Sequence, residues 1–245
     1  RGLGDVYKRQ AFVLATNVDL MFSNELVRFL ASGQLRNGRM YRVDRYDVRA
    51  HVPANATLED QLAYCSQHVI RVSERDGTRN LVSGDYHRNY PQRTWRRWLH
   101  DKLQDWRVIP AVQRSRLHVN ACGDFTLMAQ EQWCSLNGYP EFATYSMFID
   151  GLLCYAAHHN GIRETVLKDP MRIYHVEHST GSGWTPEGER TLRARLQSAG
   201  VAWLEHDQFN SWAVQMRRGR RPIIFNGAEW GLRDEILPET TVDVE

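Results

Sequence analysis

The residues best able to do chemistry stand where apolar runs end. "AFVLATNVDLMFSNE", residues 11–25, is a β-leaning run that stops on Asn17 and Asp19. A strand buried on both faces is close to continuously apolar, so polar residues at its end lie at a sheet edge, the usual place for ligand chemistry in α/β proteins. Asn17 and Asp19 are therefore the first candidates, against the alternative that Asp19 only satisfies turn amides. "YHVEH" sets His175 and His178 three residues apart. The spacing imitates a zinc pair, but the segment reads as strand and the glutamate is not at its helical position, so zincin chemistry is not expected. On a strand, only one of the two histidines can point into a site. His158 and His159 close a helix and suit its negative C-terminal end. Trp95, Trp98 and Trp106, with Arg96 and Arg97, could stack sugar rings or bases, or simply pack their indoles on the domain.

Positioning Asn17 and Asp19 takes a β-turn-α step. Residues 11–16 read as a buried strand, and "SNELVRFLASG" reads as a helix capped by Ser23 with Gly33 just past its end. After the Asn37-Gly38 turn signal, "RMYRVDRYDV" alternates Tyr41 and Val43 with Arg42 and Asp44, a strand with one polar face. From about 51 to 117 the pattern weakens into Arg-, Tyr- and Trp-rich sequence that reads as an insertion, with one helix over 94–106. Phe125 and Leu127 mark a strand, "AQEQWCSL" a helix closed by Asn137-Gly138, and "SMFIDGLLCYAAHHNG" a helix closed by Gly161. "IRETVL" and "MRIYHVEH" read as strands, and two amphipathic helices follow a Gly-rich loop. The tail from Pro222 is expected to wrap the surface.

Composition sets outer bounds. The chain has 245 residues, enough for a sizeable core, and Lys+Arg 31 against Asp+Glu 29 leaves a formal net charge of +2. Global charge thus gives no argument for nucleic acid. The "RRGRR" run at 217–221 reads as a solvated helix end, or as a contact for phosphate or anionic headgroups, which leaves peripheral membrane contact open. Asn17 and Asp19 interrupt the longest apolar run well short of the roughly 18 residues that a transmembrane helix needs. Cys65, Cys122, Cys134 and Cys154 are scattered without a C-x-x-C pair, so reduced thiols and a cytoplasmic setting are expected. Residues 1–10, "RGLGDVYKRQ", change character abruptly at Ala11 and read as adapter-like, non-native sequence.

The ordered series from Asn17-x-Asp19 through "GYPEF" and Ile149-Asp150 to "YHVEH" resembles GT-A-fold glycosyltransferases, in particular the inverting, family-two-like group. The resemblance spans roughly residues 11–180. It implies an α/β fold, a GT-A-like mixed sheet flanked by helices, truncated at its N-terminus. Residues 11–180 would form the catalytic domain fragment, interrupted by the 51–117 insertion, and 181–245 a helical extension. By this resemblance a nucleotide-sugar donor and a glycan or other hydroxyl acceptor are the partners. Asp19 would hold Mn²⁺ or Mg²⁺ together with His178 or, on the other side of the strand, His175. Asn17, standing where the family has an acid, would hydrogen-bond the donor, and Gly123, Asp124 and Glu141 would line the acceptor cleft. Asp150 would be the base that takes the acceptor proton. Read from its helix alone, Asp150 could be an ordinary residue of the polar face. Two other functions fit the same residues: a carbohydrate-binding relative without catalysis, and a metal-dependent phosphoester hydrolase.

Overall fold

The computed structural model describes residues 11–88, 117–145, 147–178 and 186–231. The adapter-like segment, the Trp/Arg helix expected over 94–106 and most of the Gly-rich loop lie outside the described residues. The elements in chain order are β1 (Phe12–Thr16), β2 (Leu20–Phe22), α1 (Asn24–Ala31), β3 (Arg39–Val43), β4 (Arg45–Val48), α2 (Leu58–Gln67), β5 (Val69–Glu74), β6 (Gly77–Asn80) and β7 (Tyr86–Arg88). A 3-10 turn, Cys122–Asp124, then leads into β8 (Phe125–Ala129), α3 (Gln130–Leu136), α4 (Ile149–His159), β9 (Arg163–Leu167), β10 (Ile173–Val176), α5 (Pro186–Ser198) and α6 (His206–Gly219). The fold is α/β with mixed sheets, as expected.

Two sheets share the same chain segments. One has the order β1-β8-β3-β9, and the other β2-β10-β4-β5-β6-β7. β8 runs antiparallel to β1 and β3, whereas β3 and β9 are parallel; in the second sheet β10 is parallel to β4 and antiparallel to β2. The chain passes from the first sheet to the second three times: through residues 17–19, through Asp44, and through residues 168–172. These crossings form a seam. Polar residues gather there because a strand that changes sheets leaves the ladder and must satisfy its backbone and side chains by other means.

"RMYRVDRYDV" departs from expectation. It is two strands in different sheets, and the residues assigned to a polar face, Arg42 and Asp44, are buried. Each is held by specific partners. Arg42 Nη1 donates to the Phe125 carbonyl and to Thr126 Oγ1, and Asp44 accepts from Lys168 Nζ at 2.7 Å and pairs with His118 Nε2 at 2.9 Å. Alternation therefore misjudged the exposure because buried polar groups survive when they are bonded. The 51–117 stretch also holds more order than its pattern promised: α2 lies in it, and β5, β6 and β7 extend the second sheet.

The main core is helical on one side. All seven residues from Gly151 to Ala157 of α4 are buried, too many for a single stripe, because α4 is covered by α3 and by Phe209, Ala213 and Met216 of α6. Trp133 of α3 is fully buried and donates its indole N–H to the Val13 carbonyl at 3.0 Å, which fixes α3 against β1. The tail does pack down: Ile223, Phe225 and Trp230 lie on this core. Gly138, at φ +71°, is where Trp230 settles; a β-carbon there would stand 2.6 Å from the indole ring. All four cysteines are free thiols, and among the described residues no helix is long and apolar enough to cross a membrane.

Ser23 joins two of these parts. Its Oγ accepts from Leu26 N–H at 3.2 Å as the α1 cap, accepts from Arg172 N–H at 3.1 Å and donates to the Pro170 carbonyl at 3.1 Å. Ser23→Ala removes the cap and leaves buried backbone groups unpaired, so it should cost about 1–2 kcal/mol. A denaturant midpoint equal to that of the parent protein would show that the cap carries nothing.

Candidate functional site

The seam brings three of the sequence candidates together. Asp19 follows the β1 strand end, and its carbonyl accepts from Val176 N–H at 3.3 Å, which seats it beside the end of β10. Asp19 Oδ2 lies 3.2 Å from His175 Nε2 and 3.2 Å from His178 Nε2. One donor atom from each of the three residues lies within 4.8 Å of the others. The expectation that only one histidine can point inward is corrected. β10 ends at Val176, so alternation no longer governs His178, and the chain turns it back beside His175. His175 is buried and His178 exposed, so the cluster opens to solvent on the His178 side.

These residues suit a cation. Asp19 Oδ1 is buried and has no hydrogen-bond partner, a costly state for a carboxylate oxygen unless something positive meets it. Two imidazoles and a carboxylate are a familiar donor set for divalent transition ions.

Behind the cluster runs a chain of buried charges. His175 Nδ1 is 2.9 Å from Asp47 Oδ1, and Asp47, with no exposed surface, also meets Arg45 Nε at 3.0 Å and Arg71 Nε at 2.7 Å. Arg45 Nη1 reaches across the seam to Asp124 Oδ2 at 3.0 Å, and Asn17 Nδ2 donates to Asp124 Oδ1 at 2.7 Å. Burial opposes the charge on Asp47, yet the bond to His175 and the two guanidiniums hold its carboxyl below the usual range. His175 shows the mirror effect: burial works against its cation, and the bond to Asp47 raises it overall.

Asp150 stands on the far side of Asp124, in the first turn of α4. Burial, with the charge of Asp124 added, pushes its carboxyl up to about 6, while the field of buried Arg42 pulls the other way. Gly123 makes room for it: a β-carbon at 123 would stand 2.5 Å from Asp150 Oδ2. The Tyr139 phenol is raised by its own burial and by the nearby Asp150 charge. Ala121 and Phe148 both adopt positive φ, and they stand just before the Gly123-Asp124 turn and Asp150 respectively. Such backbone is uncommon for residues with a side chain and gathers where a site needs it.

The remaining candidates are placed as follows. Asp124 is buried with both oxygens engaged, so it holds Asn17 and Arg45 in position and shows no face to an acceptor. Asn17 spends its amide N–H on Asp124, and the neighbouring Val18 is fully exposed at the tip of the turn. Glu141 lies away from the seam, where its Oε1 accepts from Gly231 N–H at 2.8 Å and its own N–H donates to Asn226 Oδ1 at 2.9 Å. Asp47, Arg45 and Arg71 were missed as site residues. The only signal for them was charge inside a strand-like stretch, "RVDRYDV", and inside the weakly patterned insertion, "VIRVSE".

No protein-family model matches the chain, and no curated protein matches it in sequence.

The Asp150 environment has a measurable consequence. The folded carboxyl titrates near 6 and an unfolded aspartate near 4, so the folded state binds the extra proton between those values, and stability from this group is lost as pH rises through 6. Asp150→Asn removes that burden and should be more stable than the parent at pH 8, by on the order of 1–3 kcal/mol, with the advantage gone near pH 4. Urea midpoints at both pH values decide the matter; a difference that does not change with pH would mean that Asp150 is not desolvated.

Proposed function

We propose that this protein transfers a sugar from a nucleotide-sugar donor to an acceptor hydroxyl with inversion, as an enzyme of GT-A type assisted by a divalent cation. The observations that carry the reading are a His/His/Asp cation cluster at the seam and a desolvated carboxylate, raised toward neutral pH, against the Gly123-Asp124 turn that Asn17 and Arg45 contact. Inverting transfer needs those two things: charge compensation for a departing diphosphate, and a base for the attacking hydroxyl.

In this reading Asp19, His175 and His178 hold the cation, which when bound supplies electrostatic stabilisation to the leaving diphosphate. Asp150 takes the acceptor proton as the oxygen attacks the anomeric carbon. Its raised pKa makes it a better base than an exposed aspartate, and at neutral pH it is still mostly ionised. Arg42 keeps that ionised form from becoming prohibitive. Gly123 leaves the carboxylate its position, and the neighbouring Asp124 is held in place by its ion pair with Arg45 and its hydrogen bond from Asn17.

A test compares Asp150→Asn with the parent protein across nucleotide sugars. Transfer should fall by roughly 10²–10⁴-fold with donor binding retained, and the parent's kcat/KM should decline below about pH 6 as Asp150 protonates. Unchanged turnover in the variant would remove Asp150 as base. Sugar binding insensitive to a chelator, with no transfer, would favour a binding module, and phosphate release without an acceptor would favour a hydrolase. Gly123→Ala pushes a methyl group into the carboxylate and should lower turnover by roughly a hundredfold at unchanged cation affinity. Full activity in that variant would show that the carboxylate position is not what limits the reaction.

A further inference from the structure

We propose that Asp47 is the positioning residue of the cation site, and that by holding His175 as an Nε2 donor it makes the site one for a transition ion such as Mn²⁺ or Zn²⁺ in preference to Mg²⁺. The inference rests on the cation cluster of the preceding reading and is independent of the reaction run there.

The argument starts from geometry at His175. Asp47 meets two guanidinium groups, Arg45 Nε at 3.0 Å and Arg71 Nε at 2.7 Å, so it is an anion and only accepts hydrogen bonds. The ring nitrogen facing it, Nδ1 at 2.9 Å, must therefore carry a proton. That leaves Nε2 as the atom turned to Asp19, 3.2 Å from Oδ2. A carboxylate behind a histidine in this way fixes both tautomer and ring orientation and makes the ring a stronger ligand. Asp47 itself is immobilised: it has no exposed surface, and strand pairing sets it opposite His175 and Arg71.

The same scaffold reaches the second histidine. Arg71 extends its Nη2 to Glu177 Oε2 at 3.2 Å while its Nε holds Asp47. Glu177 N–H donates to the Val48 carbonyl at 2.8 Å, one residue beyond Asp47. Both histidines thus flank a residue tied to the strand that carries Asp47. The donor set they complete is two nitrogens and one carboxylate. Mg²⁺ prefers a shell of oxygens in near-ideal octahedral geometry and gives up water reluctantly, whereas imidazole suits the later first-row ions.

The experiment is titration of the full chain, without any nucleotide sugar, with Mn²⁺, Zn²⁺ and Mg²⁺ by calorimetry, on the parent and on Asp47→Asn. Expected are measurable Mn²⁺ and Zn²⁺ binding, at least roughly tenfold weaker Mg²⁺ binding, and a loss of about 10–100-fold in Mn²⁺ and Zn²⁺ affinity in the variant. Asp47 lies between two arginines, so the variant's fold is checked by circular dichroism. Should it unfold, long-range ¹⁵N NMR of the parent decides: Nδ1 protonated before and after Zn²⁺, with Nε2 shifted by the ion, supports the proposal. Mg²⁺ binding as tight as Mn²⁺, a folded Asp47→Asn with unchanged affinity, or ligation through Nδ1 would each overturn it. Ion binding as described without any glycosyl transfer would overturn only the proposed reaction. Chelator-sensitive transfer at full strength in Asp47→Asn would overturn only the role of Asp47.

Discussion

The His175 ring and the Arg45 bridge across the seam both depend on Asp47. It is a fully buried carboxylate in the second sheet that meets a histidine and two arginines from three strands. A buried anion without such partners would be prohibitively costly, and even a well-paired one is weak evidence of stability. What the arrangement supplies is position. Arg45 reaches from Asp47 across the seam to Asp124, in the turn that leads into β8 of the first sheet, so an ionic contact as well as the crossing chain ties the two sheets together. Hydrophobic packing on either side is non-directional and tolerates small slips; three charge contacts at 2.7–3.0 Å do not.

Much of the fold was legible in the sequence because its elements announce themselves with local chemistry. Ser23 and the α1 cap, Asn137-Gly138 closing α3, Gly161 closing α4, and the strands β8, β9 and β10 all follow from capping and alternation. The second sheet was not legible to the same degree. Its strands β5, β6 and β7 are rich in polar residues, with β6 and β7 short and β7 exposed throughout, so the apolar signal that marks a strand is diluted, and "RMYRVDRYDV" hides a change of sheet inside what reads as one strand. Asp44 occupies the break, and nothing in its type distinguishes a seam from a solvent-facing position.

The site divides in the same way. Asp19, Asp150 and the histidines were visible as chemistry-bearing residues at element ends. Their relations were not, because they depend on long-range placement: 156 residues separate Asp19 from His175 and 128 separate Asp47 from it. Asp124 shows the limit best. A Gly-Asp turn next to a strand suggested a cleft lining, yet the structure buries the carboxylate between Arg45 and Asn17. Local sequence indicates that an acid is present; only its distant partners decide whether it faces inward or outward.

Charge bookkeeping along the seam explains why two carboxylates in particular are left to act. Asp47 and Asp124 share Arg45, and Asp47 and Glu177 share Arg71, so each of these three acids is paired with a guanidinium. Among the described residues no arginine or lysine forms an ion pair with Asp19 or Asp150. Asp19 keeps a buried oxygen without a partner, and Asp150 responds to its burial by holding its proton up to about pH 6. The two ends of the network therefore carry unmet demand of different kinds. Asp19, flanked by imidazoles that offer lone pairs, meets it best with a cation. Asp150, enclosed by Gly123 and buried apolar helix, meets it best with a proton. On the proposed reading, that division is what lets one seam hold a metal and move a proton without the two charges collapsing onto each other.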